Sequence, residues 1–172
     1  MSKNETPTKV IVPCRFSYLH CWEPEAINGG EPKYSVILSF DQEDEALYKK
    51  IQDAISECVE KAKNSMYAGK LPKNFKIVEL KDGDEDYEKD GFAGQYTIKA
   101  ASAYKPEVVK KAKVMGKVQL VPIENEEEFY SGCYGFASVT FYAYDTGVSK
   151  GVTCGLNSLL KSRDGEKLGG SG

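Results

Sequence analysis

One histidine, five cysteines and an unusual supply of tyrosine are the side chains of widest chemical range in this sequence. His20 stands between Cys14 and Cys21 in chain order, and a Cys–His nucleophile pair is one chemistry these residue types can perform. His20, however, falls on a predicted strand face with Phe16, Tyr18 and Trp22, where an imidazole is packed or set against a flat ligand. The cysteines at 14, 21, 58, 133 and 154 contain no C-x-x-C pair, and their spacing from His20 matches no usual zinc pattern. They read as small buried apolar side chains. The acidic stretch DGDEDYEKDG, starting at Asp82, has the outline of a calcium loop. Its sixth position is Tyr87 where an EF-hand needs glycine, so a solvated acidic loop is the reading. No Walker A or G-x-G-x-x-G stretch is present. The expectation is a protein that is not an enzyme and needs no cofactor and no metal.

The aromatic residues point elsewhere. Residues 129–145, FYSGCYGFASVTFYAYD, divide by strand parity into two unlike faces. Cys133, Gly135, Ala137, Val139, Phe141 and Ala143 form a small apolar face suited to a barrel interior. Tyr134, Phe136, Ser138, Thr140, Tyr142 and Tyr144 form a face on which rings alternate with hydroxyls. A dry core rarely takes so many hydroxyl groups, because each needs a partner. Such a face can stack flat rings such as nucleobases. The net charge of −3 gives no global basic field, but residues 99–117 carry Lys99, Lys105, Lys110, Lys111, Lys113 and Lys117 against the single acid Glu107. Rings beside cations suggest a groove that tracks a single strand. The candidate DNA-binding residues are Arg15, Tyr18, Trp22, Lys33, Tyr34, Lys99, Lys105, Lys110, Lys111, Tyr130, Tyr134, Phe136 and Tyr142. The alternative is a non-enzymatic structural or assembly protein whose tyrosine-rich faces form protein–protein interfaces.

The elements that must hold these residues follow from periodicity. Residues 9–22 alternate as a strand, with Phe16, Tyr18, His20 and Trp22 on one side and Arg15, Ser17, Leu19 and Cys21 on the other. Residues 23–32 are a loop, and 33–41 a second strand with Tyr34, Val36, Leu38 and Phe40 on its apolar side. Residues 42–69 predict the one helix, with Leu47, Ile51, Ala54, Ile55, Cys58 and Ala62 as the core stripe, Asp41 as N-cap and Gly69 as stop. Residues 70–91 read as irregular, 94–105 as a third strand and 106–124 as mixed and basic. The aromatic strand turns at 145–151 into a hairpin partner over 152–160. Five strands, mostly antiparallel, with one helix suit a small barrel: mainly β, OB-fold-like, with long loop excursions.

Three stretches carry a resemblance to a known family: RFSYLHCWEPEAINGGEPKYSV, EFYSGCYGFASVTFYAY and GLNSLLKSRDGEKLGG. In this order they resemble the phage and prophage single-stranded DNA-binding proteins once catalogued as a domain of unknown function. That family is similar in architecture to the OB-fold single-stranded DNA-binding proteins of T7-like phages. The resemblance implies one OB domain over residues 9–165 between flexible ends at 1–8 and 166–172. It implies sequence-tolerant coating and protection of single-stranded DNA in phage replication and recombination, with no catalysis. It leaves open a homodimer and contacts with phage replication and recombination proteins. Family members often end in an acidic tail that recruits such partners; this sequence ends in KLGGSG, so tail-mediated binding is assigned to no residue here. The opening MSKNETPTKVIV lacks a secretory leader's apolar stretch, and no run is long enough to cross a membrane. The expected setting is the cytoplasm of a bacterial host, with reduced thiols.

Overall fold

The computed structural model describes residues 8–26, 31–86 and 91–168. Residues 1–7, 27–30, 87–90 and 169–172, which include most of the ends expected to be flexible and Tyr87 of the acidic loop, lie outside the described residues. The strands are β1 (Lys9–Glu25), β2 (Lys33–Asp41), β3 (Phe75–Ile77), β4 (Lys81–Asp82), β5 (Gln95–Ser102), β6 (Glu107–Val114), β7 (Lys117–Pro122), β8 (Tyr134–Asp145) and β9 (Lys150–Arg163). The single α-helix among the described residues, α1, spans Glu45–Met66.

Five strands close a barrel. β1 pairs antiparallel with β2 and with β8, β2 with β5, and β8 with β9. The ring closes where β5 runs parallel to β9 at Ala101 and Gly155. This is the mainly β, OB-fold-like architecture the pattern implied, with one of its five ladders parallel. The interior is filled by alternate residues: Val10, Val12, Cys14 and Phe16 of β1, Val36, Leu38 and Phe40 of β2, and Ala137, Val139 and Phe141 of β8 are all buried. The helix lays Leu47, Ile51, Ala54, Ile55, Cys58 and Ala62 onto this core, as its period requires. Among the described residues no helix is long and apolar enough to cross a membrane.

β8 keeps strict alternation. Gly135, Ala137, Val139 and Phe141 are buried, while Phe136 and Tyr142 are exposed and Tyr134, Ser138 and Thr140 half-buried. Gly135 must be glycine: an added Cβ would lie 1.9 Å from the Leu160 carbonyl oxygen and 3.0 Å from the Phe16 ring. Its neighbours do not alternate so simply. In β1 the register shifts between Ser17 and His20, and Tyr18 takes a left-handed φ of 50°. The bulge moves the buried set from Phe16 to Cys21, so Phe16 and Trp22 are not on one continuous face as simple parity would have it. In β9 the pairing with β8 skips Asn157 and Ser162, so the buried series changes from Val152, Cys154 and Leu156 to Leu159.

Other elements differ from the sequence expectation. The helix begins three residues later than expected. Its N-cap is Asp44, whose carboxylate accepts from the Leu47 N–H at 3.1 Å, while Asp41 accepts instead from the Glu43 N–H. At its end Ala68 and Gly69 are both left-handed, with φ of 52° and 92°. The stretch 70–91 holds two short strands, β3 beside β9 and β4 beside β5. The mixed stretch 106–124 is a β6–β7 hairpin that extends the sheet from β9, with β6 parallel to β9. Its two-residue turn is Met115–Gly116, with φ of 52° and 82°. That is the primed turn which matches strand twist, more often written with Asn-Gly.

The two sides of β8 predict two kinds of loss. Phe141 is 2% exposed, so Phe141→Ala should cost about 3–5 kcal/mol of stability. Tyr142 is 46% exposed, so Tyr142→Ala should leave the thermal melting temperature nearly unchanged. A melt of each variant checks both; unfolding of Tyr142→Ala would place its ring in the core.

Candidate nucleic-acid interface

The outer face of the sheet carries a cluster of rings and cations where β1, β8 and β9 lie side by side. Arg15 pairs across to Tyr134, and Tyr134 across to Arg163. The Arg163 guanidinium carbon lies 3.9 Å from the Tyr134 ring centroid and that of Arg15 lies 5.0 Å from it. Guanidinium groups stack well on aromatic faces, so this ring holds two cations. Arg15 is fixed further: Nε donates to the Gly132 carbonyl at 2.9 Å and a terminal nitrogen donates to the Glu166 carbonyl at 2.7 Å. Among the described residues the Arg163 side chain has no ion pair or hydrogen bond, and it is exposed. Its charge is held in place and free to meet an anion.

A cleft of about 630 Å³ runs beside this stack, lined by Arg15, Ser39, Asp41, Asp44, Gln95, Tyr134, Phe136 and Arg163. Phe136 and Arg163 also line a hollow of about 280 Å³ bordered by Lys110, Lys111, Leu160 and Lys161 and by the acids Glu128 and Asp164. The floor is apolar. Strand registers place Pro13, Phe136, Leu160, Val109 and Pro122 in one row across β1, β8, β9, β6 and β7. Phe136 is 38% exposed. The arrangement offers a flat apolar strip edged by positive charge, which suits a chain of bases with a phosphate backbone.

Of the residues expected from sequence, Arg15, Tyr134, Phe136 and Lys111 come together here. Tyr142 shares the outer face of β8 farther along, its ring over Gly155. Lys110, next to Lys111, borders the same hollow but is paired there with Glu128. Tyr130 is occupied: its hydroxyl meets the Asp164 carboxylate at 3.1 Å and the Gly165 carbonyl at 2.9 Å. Trp22 packs edge-on to Phe129 with Lys105 near its ring, above a separate hollow whose rim carries Glu107, Glu124 and Glu126. The Tyr18 ring packs toward Phe92, and Lys99 lines another hollow that Phe92 also borders. Lys33 and Tyr34 sit at the far end of β2, opposite Glu25 and Ser102.

Arg163 is the member that sequence reasoning missed, since it looked like part of a terminal turn. The skipped Ser162 is what brings it out: after Leu159 faces inward, plain alternation would turn residue 163 inward too, and the bulge re-aims it at Tyr134. His20 lies 3.5 Å from Glu25, and burial pushes the Cys21 thiol up to about 12, away from an activated thiolate. Asp82 accepts from Gln42 and from the Asp84 N–H, and Asp84 accepts from the Gly94 N–H.

The family model of the ssDNA-binding protein of Enterobacter phage Enc34 matches residues 8–172. The chain belongs to this family. The single-stranded DNA-binding protein of bacteriophage Enc34, solved in complex with ssDNA, is 27% identical with a TM-score of 0.68, over 93% of this chain and 89% of that one. The single-stranded DNA-binding protein gp2.5 of bacteriophage T7 shares the fold at a TM-score of 0.53 and 16% identity, over 91% of this chain and 93% of that one. Protein p50 of Acyrthosiphon pisum secondary endosymbiont phage 1 is 35% identical over 94 residues, 54% of this chain. The match spans about half of that relative, 46% of its length.

The segment 164–168 closes one side of the cluster. Lys161 reaches the Glu128 carbonyl and the Asp164 carboxylate, and the Leu168 N–H donates to the Ser131 carbonyl at 2.9 Å. The hydrogen bonds from Lys161 and Tyr130 hold the Asp164 carboxyl below its ordinary value of 3.8. Burial alone would lower the Lys161 amine, but Asp164 more than offsets it and the amine ends raised. A lowered carboxyl stabilises the fold above its unfolded value and loses that contribution as pH falls through the folded one. Acid should therefore loosen 164–168 below about pH 4, and Asp164→Asn should remove this component. Limited proteolysis of the C-terminal segment between pH 2 and 6 checks it; identical profiles for both proteins would contradict it.

Proposed function

We propose that this protein binds single-stranded DNA without strong sequence preference, coating and protecting it during phage DNA replication and recombination in the cytoplasm of the bacterial host. It acts by binding and carries out no catalysis. The observation that carries this reading is the Arg15–Tyr134–Arg163 stack beside the exposed Phe136 strip on the outer sheet face. Family membership supports it, as does the likeness to an Enc34 protein solved with ssDNA.

The mechanism follows from the two kinds of surface. Tyr134 is half-buried, with guanidinium groups over its ring and Gly165 against its edge, so it acts chiefly as the support of two phosphate-contacting cations. Phe136 is the ring left open for a base. Duplex DNA hides its base faces, so the strip favours unpaired strands. The cations act on any sequence alike, because phosphates carry no sequence information. Phage replication and recombination proteins, and a second copy of the chain, are the partners that fit such a role.

Titration of a fluorescent oligonucleotide at two salt concentrations tests the proposal. Arg163→Gln should weaken binding to all sequences and flatten the salt slope by about one phosphate's share, roughly 0.7 for a single strand. Phe136→Ala should cost on the order of 1–3 kcal/mol of affinity and leave the slope as it was. Tyr134→Leu removes no charge, yet should weaken binding by releasing Arg163, while Arg15 stays held by the Gly132 and Glu166 carbonyls. Equal affinity for blunt duplex and single strand at the same salt would count against the reading.

A further inference from the structure

We infer that the β6–β7 hairpin is a second arm of the single-strand site, carrying the DNA beyond the barrel along the face that bears Lys111, Lys113, Val118 and Leu120. This rests on the single-stranded DNA reading above. Four observations lead to it.

The first is continuity. Lys111 lines the same hollow as Phe136, Leu160 and Arg163, and the two acids there, Glu128 and Asp164, are paired with Lys110 and Lys161. Lys111 stands opposite Leu120, and Lys113 opposite Val118. Cross-strand partners share a face, so the apolar strip edged by cations does not stop at β9. The second is exposure. Val118 is 63% exposed and Leu120 60%, so a face with the strip's chemistry is left uncovered. The third is charge. Between Val108 and Ile123 the chain has Lys110, Lys111, Lys113 and Lys117 and no acidic residue, within a protein of net charge −3. Apolar side chains between lysines and without acids suit a polyanion carrying flat apolar bases. A protein partner of mixed charge would more often find both signs there.

The fourth lies at the tip. Met115 is 98% exposed and holds a left-handed φ of 52° in a turn that prefers asparagine or glycine. Neither packing nor backbone preference accounts for a methionine there. A flexible apolar side chain at the end of the basic arm has a use if bases pass over it.

Shortening the arm tests this. Replacing residues 113–118 by Asn-Gly keeps the Ala112–Gln119 pair as the flank of a two-residue turn, since that pair has the same parity as Val114–Lys117. The probe is fluorescent oligo(dT) of increasing length at one low salt concentration. Both proteins should bind the shortest competent oligonucleotide equally, because the barrel site is intact. With longer strands the intact protein should keep gaining affinity while the shortened one levels off, ending about tenfold weaker. Superimposable curves at every length overturn the inference and leave the barrel reading standing. Failure of both proteins to bind any length sinks the DNA reading and this one with it. A free protein that changes from dimer to monomer on shortening, with unchanged oligonucleotide curves, makes the face a contact between copies and also overturns the inference. A second pair keeps the test sharp if the shortened chain folds poorly. Lys113 lies on the strip's face and Lys117, opposite Val114, on the reverse. Lys113→Gln should weaken binding of long strands and Lys117→Gln should not; equal losses would reject the assigned face.

Discussion

β8 is held by ladders on both sides, to β1 and to β9, and its unbroken alternation is the constraint on which the rest depends. Every second residue must be small or apolar, because it points into a barrel shared with Phe16, Leu38 and Leu159. The residues between are released to the outer face. Gly135 shows how tight the arrangement is, since no side chain fits between the β9 backbone and Phe16 there. With β8 straight, the bulges needed to bend a sheet into a barrel fall on its partners. Those bulges then decide which of the partners' cations reach the outer face.

The candidate interface is therefore a by-product of barrel closure. Arg15 arrives from β1 before the Tyr18 bulge, and Arg163 from β9 after the Ser162 bulge. Tyr134, between them, sets the otherwise unanchored Arg163 beside the already anchored Arg15. The return of residues 164–168 across Ser131 and Gly132 adds the Glu166 carbonyl for Arg15 and completes the wall. Gly132 allows this approach: its φ is 118°, and an added Cβ would lie 2.0 Å from the Glu166 oxygen. Core, turn and cation placement are one arrangement seen at three levels.

Much of this was legible in the amino-acid order. The helix stripe from Leu47 to Ala62 and the inward set Gly135–Phe141 are periodic signals without interruption, and both stand in the structure. The β8–β9 hairpin followed from its turn residues. What escaped were the places where one residue changes the parity of all that follow. Tyr18 and Ser162 look like any strand residues, and nothing local marks them as bulges; their cause is the closure of a ring by distant strands. The β6–β7 hairpin escaped for a related reason, since Met115–Gly116 lacks the usual turn signal. The lysine cluster was visible, but not its division: neighbouring Lys110 and Lys111 both border one hollow, and Lys110 is paired with Glu128 while Lys111 has no ion pair among the described residues.

All five cysteines are buried. Burial raises each thiol above its ordinary value, Cys21 and Cys154 to about 12. At neutral pH such side chains present almost no thiolate, the species that attacks maleimides and iodoacetamides. The native fold thus masks its own sulfur. A single cysteine introduced on the surface can carry a dye or a crosslinker selectively, without removal of the native ones, and the appearance of extra labelling reports opening of the strands, helix and turn that carry the native five.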